Sequence, residues 1–151
     1  MNLLKDKYII LEIIPTGINK EKGDIIELTA LKLEGLNLIE RFNYRLNEDK
    51  ILIPDFKEMI SYDKDLFNYV DSTDEILNEF KTFTDDLPLL IIDNAYTKNF
   101  LSDLSNPKES IFKYLDKEYH DQIIEEIIKE YDIEPTNYIV DILYESLIKH
   151  L

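Results

Sequence analysis

The sequence predicts an α/β fold in which three strands, a helix, a fourth strand and further helices share one core. Three observations lead there. Two nearly continuous apolar runs, Tyr8–Ile14 and Ile25–Leu33, stand near the N-terminus. A third run, at about residues 36–46, alternates apolar and polar side chains. From Ser72 onward, apolar residues recur mostly at helical spacing, interrupted by one short apolar run before Asp93.

The elements follow in order. Residues 7–14 and 24–34 read as strands, because unbroken apolar runs suit central strands covered on both faces. Gly17 and Asn19 supply the turn between them, and Gly35 separates the second strand from the third. In the third strand Leu36, Leu38, Phe42, Tyr44 and Leu46 mostly alternate, which predicts one solvated face. Short loops between the three make an antiparallel meander. Ile51–Pro54 reads as extended, with a helical turn near Phe56 to Ile60.

Ser72 or Thr73 can cap a helix whose core positions are Ile76, Leu77, Phe80 and Phe83. Pro88–Asp93 is a fourth, buried strand, and Asn94-Ala95 opens a helix that turns Phe100, Leu101 and Leu104 inward. Beyond Pro107 the pattern is helical. Ile111, Tyr114 and Leu115 mark a short segment, and Tyr119, Ile123, Ile127, Ile128 and Tyr131 stripe a longer helix. Pro135 breaks it, Thr136 can cap the last helix, and Ile139, Val140, Leu143, Leu147 and Leu151 form that helix's apolar face.

At 151 residues with 44% hydrophobic composition, the chain reads as a single domain spanning residues 1–151. It has no cysteine, which excludes disulfides, thiol nucleophiles and zinc-thiolate sites. No apolar run approaches the ~20 residues of a membrane span, and the charged N-terminus does not read as a secretory signal. A cytoplasmic protein without membrane contact is the expectation. With 32 acidic and 17 basic residues the net charge is −15, and the only arginines are Arg41 and Arg45. Nucleic-acid binding draws on lysine and arginine against phosphate, so it is expected to be weak or absent. Acidic composition is also common in soluble proteins from AT-rich genomes, which the wealth of Ile, Lys, Asn, Asp and Glu suggests. No P-loop, nucleophile elbow, dinucleotide fingerprint or zinc pattern occurs. His120 reads as a surface residue and His150 as terminal.

Residues 8–17 (Tyr8-Ile9-Ile10-Leu11-Glu12-Ile13-Ile14-Pro15-Thr16-Gly17), followed by Ile25-Ile26-Glu27-Leu28, resemble the opening of the DnaQ-like 3′–5′ exonucleases, the DEDD group of the ribonuclease H-like fold. In that family the first strand ends in aspartate, any residue, glutamate, then Thr-Thr-Gly. Asp93-Asn94-Ala95-Tyr96-Thr97-Lys98-Asn99-Phe100-Leu101 resembles its second motif, one residue short. Tyr131-Asp132-Ile133 resembles the lead-in to the third, a histidine followed after four residues by aspartate. The likeness covers about residues 7 to 150.

The resemblance implies a mixed ribonuclease H-like sheet flanked by helices, with the third, second, first and fourth strands side by side. A fifth strand is expected near Ser110–Leu115. It also implies a two-ion site for phosphodiester cleavage, with hard oxygen ligands suited to magnesium or manganese about 4 Å apart. Here the matched positions depart from the family. Glu12 stands for the first aspartate, Ile14 for its glutamate partner, Thr97 for the second aspartate, Thr136 for the histidine and Asp141 for the last aspartate. A one-residue shift would instead pair Asn137 with Ile142 and leave neither group. Asp93, where the family has a neutral histidine, can replace the ligand missing at Thr97, or simply cap the following helix. Glu12 reads either as a solvent-facing relic or as a weak metal ligand, and Asp141 either as an ordinary polar-face residue or as a weak ligand. Glu27 reads as structural.

The expectation is a catalytically impaired or inactive exonuclease domain, a pseudoenzyme. It would act as a binding or scaffolding module for a protein partner such as a replication or repair factor, because family members serve as domains or subunits of polymerases and helicases. The alternative is a weak metal-dependent 3′–5′ exonuclease acting on DNA or RNA through Glu12, Asp141 and Asp93.

Overall fold

The structure, a computed structural model, describes residues 1–15, 25–50, 67–92, 95–115 and 139–150. Its centre is a six-stranded mixed sheet. Strands β1 (Lys7–Pro15), β2 (Ile25–Glu34) and β3 (Asn37–Leu46) form the antiparallel meander. β4 (Asn68–Val70) adds in parallel to β3. On the other side β5 (Leu89–Ile91) lies parallel to β1, and β6 (Lys108–Ser110) parallel to β5. The order is β4-β3-β2-β1-β5-β6, an α/β fold compatible with the ribonuclease H-like architecture. Three helices belong to the described residues: α1 (Thr73–Thr84), α2 (Ala95–Phe100) and α3 (Ile139–His150).

Continuous apolar runs make β1 and β2 central because both faces of the sheet are covered. Ile9, Leu11, Ile13, Leu28, Ala30 and Phe42 face α1 and bury against its Ile76, Phe80 and Phe83. Tyr8, Ile10, Leu31 and Leu33 face the other way and pack against Val140, Leu143 and Leu147 of α3. Each fully buried side chain of this size contributes roughly 1.5–3 kcal/mol. The two layers therefore dominate the stability of the described core.

α1 begins where Ser72 accepts a hydrogen bond from the Glu75 N–H at 3.2 Å, while the Glu75 carboxylate accepts from the Asp71 N–H at 2.9 Å. This reciprocal capping satisfies two amides that the helix itself cannot. At the β2–β3 turn, Gly35 has φ +59°, and a Cβ there would lie 2.6 Å from the Leu4 carbonyl oxygen. Only glycine fits. Its carbonyl accepts a 2.8 Å hydrogen bond from the Tyr8 hydroxyl, which burial pushes up to about pKa 12.

Three details depart from the sequence reading. The expected strand at Ser110–Leu115 is instead β6 followed by a 3₁₀ turn over Ile111–Tyr114. β4, three residues long and not buried, has no counterpart in the sequence reading. The solvated face expected for β3 is also absent in its second half. Asn43 and Arg45 are buried, while Leu38 is 40% exposed. A register shift between Lys32 and Leu33 leaves Ile39 unpaired and reverses the alternation there. The extended stretch at 51–54, the turn near Phe56, the helix striped by Tyr119 to Tyr131, and Leu151 lie outside the described residues.

Candidate functional site

Residues paired across antiparallel strands project from the same face, so the register gives three rows on the α3 face of β1, β2 and β3. The first is Ile10–Leu31–Arg41, the second Glu12–Thr29–Asn43 and the third Ile14–Glu27–Arg45. Polarity rises toward the carboxyl end of β1. β5 runs parallel to β1, so the chain entering α2 emerges at that same end. Ligand sites of open α/β sheets lie at such carboxyl ends. Of the positions matched by the resemblance, Glu12 and Ile14 lie toward that end of β1 and Thr97 lies on α2.

Their chemistry is not that of a two-ion centre. Glu12 is half-buried on the sheet face, beside Thr29, and does not project freely into solvent. Ile14 is 8% exposed and places hydrocarbon where a carboxylate would be required. Thr97 is buried and shares a helix face with the buried Leu101, four residues on. It offers a neutral hydroxyl. Asp93 and Thr136 lie outside the described residues. Among those described, no group of three or more His, Cys, Asp or Glu side chains could hold a metal ion. The described donors therefore do not fit a pair of magnesium or manganese ions.

Asp141 sits in the first turn of α3, half-buried, and its carboxylate accepts a hydrogen bond from the Arg41 guanidinium of β3 in an ion pair. The Arg41 side chain thus ties β3 to a helix whose apolar face packs on β1 and β2. One turn later the Tyr144 hydroxyl donates to the Leu36 carbonyl at 2.8 Å, which ties the same helix to the β2–β3 turn.

The third row contains a buried ion pair. Arg45 Nε and Nη2 both donate to Glu27 Oε2, at 3.3 and 3.0 Å, and both side chains are almost fully buried. The guanidinium also lies over the Phe67 ring, 3.8 Å from its centroid. Glu27 is thus committed to a structural contact, as read from sequence. In the second row Asn43 is 6% exposed, and its Oδ1 has no hydrogen-bond partner. Sequence reasoning missed these pairings. One signal was available: Arg41 and Arg45 are the only arginines and stand four apart on a strand, hence on one face.

No protein-family profile matches the chain. Among curated proteins, it is 25% identical over 100 residues to the PolC-type DNA polymerase III of Halalkalibacterium halodurans, a match covering 66% of the chain. The PolC-type enzymes of Bacillus cereus and Clostridium perfringens are 23% identical over 100 residues and 27% over 97. The chain matches about 7% of the length of each of these relatives. No helix of the described residues is long and apolar enough to cross a membrane.

Proposed function

We propose that this chain is a degenerate DnaQ-like exonuclease domain, catalytically impaired or inactive, that serves as a binding or scaffolding module in DNA replication or repair. The observation that carries this reading is the Ile14 row. At the carboxyl end of β1, hydrocarbon fills the matched ligand position, and the neighbouring carboxylate, Glu27, is committed to Arg45. Thr97 removes a second carboxylate.

Magnitude decides between binding and catalysis. Enzymes commonly lower barriers by ~8–23 kcal/mol, and in this family that depends on ions held by four carboxylates. Two substituted ligands and a substituted histidine remove most of it, whereas binding has no such requirement. A replication context is supported by the distant similarity to DNA polymerases together with the roles that members of the resembled family take within polymerases. The partner is a protein of that machinery, and the net charge of −15 works against direct binding to nucleic acid.

A second reading, a weak metal-dependent 3′–5′ exonuclease, is favoured by one observation. Glu12 lies on the α3 face near the carboxyl end of β1, where a single ion would be needed. A gel assay of single-stranded DNA and RNA with manganese separates the two, run beside a Glu12→Ala/Asp141→Ala double variant. The first reading expects no digestion by either protein. Digestion by the wild type alone would replace it with the second.

A further inference from the structure

Arg41 and Arg45 project from the same face of β3, and each meets a carboxylate: Asp141 on α3 and Glu27 on β2. The first pair joins elements a hundred residues apart in sequence. Asp141 is the matched position of a metal-ligating aspartate, yet the cation beside it belongs to the chain itself. We propose that Arg41 is a built-in counter-ion for Asp141, standing in the place of a divalent cation, so that α3 is fastened to the sheet without metal. The proposal rests on the reading of Asp141 as a family ligand position.

The physical case has three parts. A guanidinium donates to a carboxylate in fixed planar geometry and always carries its charge, so it supplies a permanent cation beside Asp141. Metal binding needs the same carboxylate oxygens as donors, and a divalent ion beside Arg41 would meet a like charge at close range. Asp141 and Tyr144, one turn apart, are both held toward β3 and the β2–β3 turn. Asp141 neighbours Val140, which with Leu143 and Leu147 packs on Tyr8, Ile10 and Leu31, so the helix that carries it is held on the sheet.

The test is a manganese titration followed by the electron paramagnetic resonance signal of free Mn²⁺, on wild type, Asp141→Asn, Arg41→Gln and the Arg41→Gln/Asp141→Asn double variant. Weak uptake by the acidic surface is common to all four and cancels in the comparison. Wild type and Asp141→Asn are expected to take up Mn²⁺ alike. Arg41→Gln, which frees the carboxylate, is expected to bind several-fold more tightly than the double variant. Wild-type uptake exceeding that of Asp141→Asn overturns the proposal, as does Arg41→Gln behaving like the double variant.

Thermal melts with and without EDTA supply a second readout. The wild-type midpoint should be indifferent to chelation. Arg41→Gln and Asp141→Asn should each lower it, by about 2–4 °C, with the double variant no lower than either single. Additive losses would mean that the two residues are not coupled, and would overturn the fastening. If Arg41→Gln does not fold, Arg41→Lys keeps the charge and should remain as indifferent to Mn²⁺ as wild type; uptake by it that Asp141→Asn abolishes would count against the proposal. Wild-type Mn²⁺ uptake at Asp141 without nuclease activity refutes the counter-ion alone. Uptake with digestion refutes the inactive-domain reading as well.

Discussion

Replacing Arg45 with methionine removes the guanidinium while keeping an unbranched side chain beside Phe67. The consequences follow from the surroundings. Arg45 is 1% exposed and Glu27 2%, and both donated hydrogen bonds go to one carboxylate oxygen. The variant therefore leaves a carboxylate buried without its cation, and removing one partner of a buried pair costs about 3–5 kcal/mol. A domain of this kind has about 5–15 kcal/mol in total, so the loss is a large fraction of its stability. Urea unfolding followed by circular dichroism should show the midpoint falling steeply with little change in slope. Glu27→Leu/Arg45→Met, which removes both charges, should recover most of the loss, because a buried pair contributes little beyond well-packed hydrocarbon. A loss below about 1 kcal/mol in Arg45→Met, or a double variant no better than the single, would refute the claim that the pair is desolvated and mutually dependent.

Tyr8 gives an alkaline prediction. Its folded pKa, pushed up to about 12 by burial, lies above the ordinary 10.0. The stabilisation it lends is thus complete below pH 10 and is lost as pH rises from 10 through about 12. Two units correspond to roughly 2.7 kcal/mol, and Tyr8→Phe should flatten that part of the stability–pH curve. Ser72→Ala removes the α1 cap and should cost about 1 kcal/mol in urea unfolding. Ile14→Glu restores a carboxylate at one family position but faces Glu27 across the strand pair. It should lose roughly 1–3 kcal/mol and gain no manganese-dependent nuclease activity, since Thr97 and the Arg41–Asp141 pair remain.

What the sequence disclosed was local. β1 and β2 were readable because both faces are buried and most positions are apolar, and α1 because Ser72, Ile76, Phe80 and Phe83 keep a helical period behind a cap. β3 was readable as a strand but not in its exposure. Alternation reports a period of two; it does not say which face will be covered by elements distant in sequence. Asn43 and Arg45 looked like solvent-facing residues for that reason. The site was legible only as a set of positions. Nothing near Asp141 in the sequence marks its partnership with Arg41, and nothing near Glu27 marks Arg45 and Phe67.

The distribution of polarity over the sheet bears on what this domain is for. On the α1 face Ile9, Leu11 and Ile13 of β1 and Leu28 and Ala30 of β2 are hydrocarbon, with Lys32 lying over the Phe83 ring at the amino end of β1. On the α3 face the Ile10 row gives way to Glu12, Thr29 and Asn43, then to a row in which Ile14 stands beside Glu27 and Arg45. A buried amide oxygen without a partner costs about 1–3 kcal/mol, and a buried ion pair offers little stability over an apolar replacement. Stability therefore does not account for these two rows. They lie at the carboxyl end of β1, where a parallel neighbour also ends and where this architecture places its ligands.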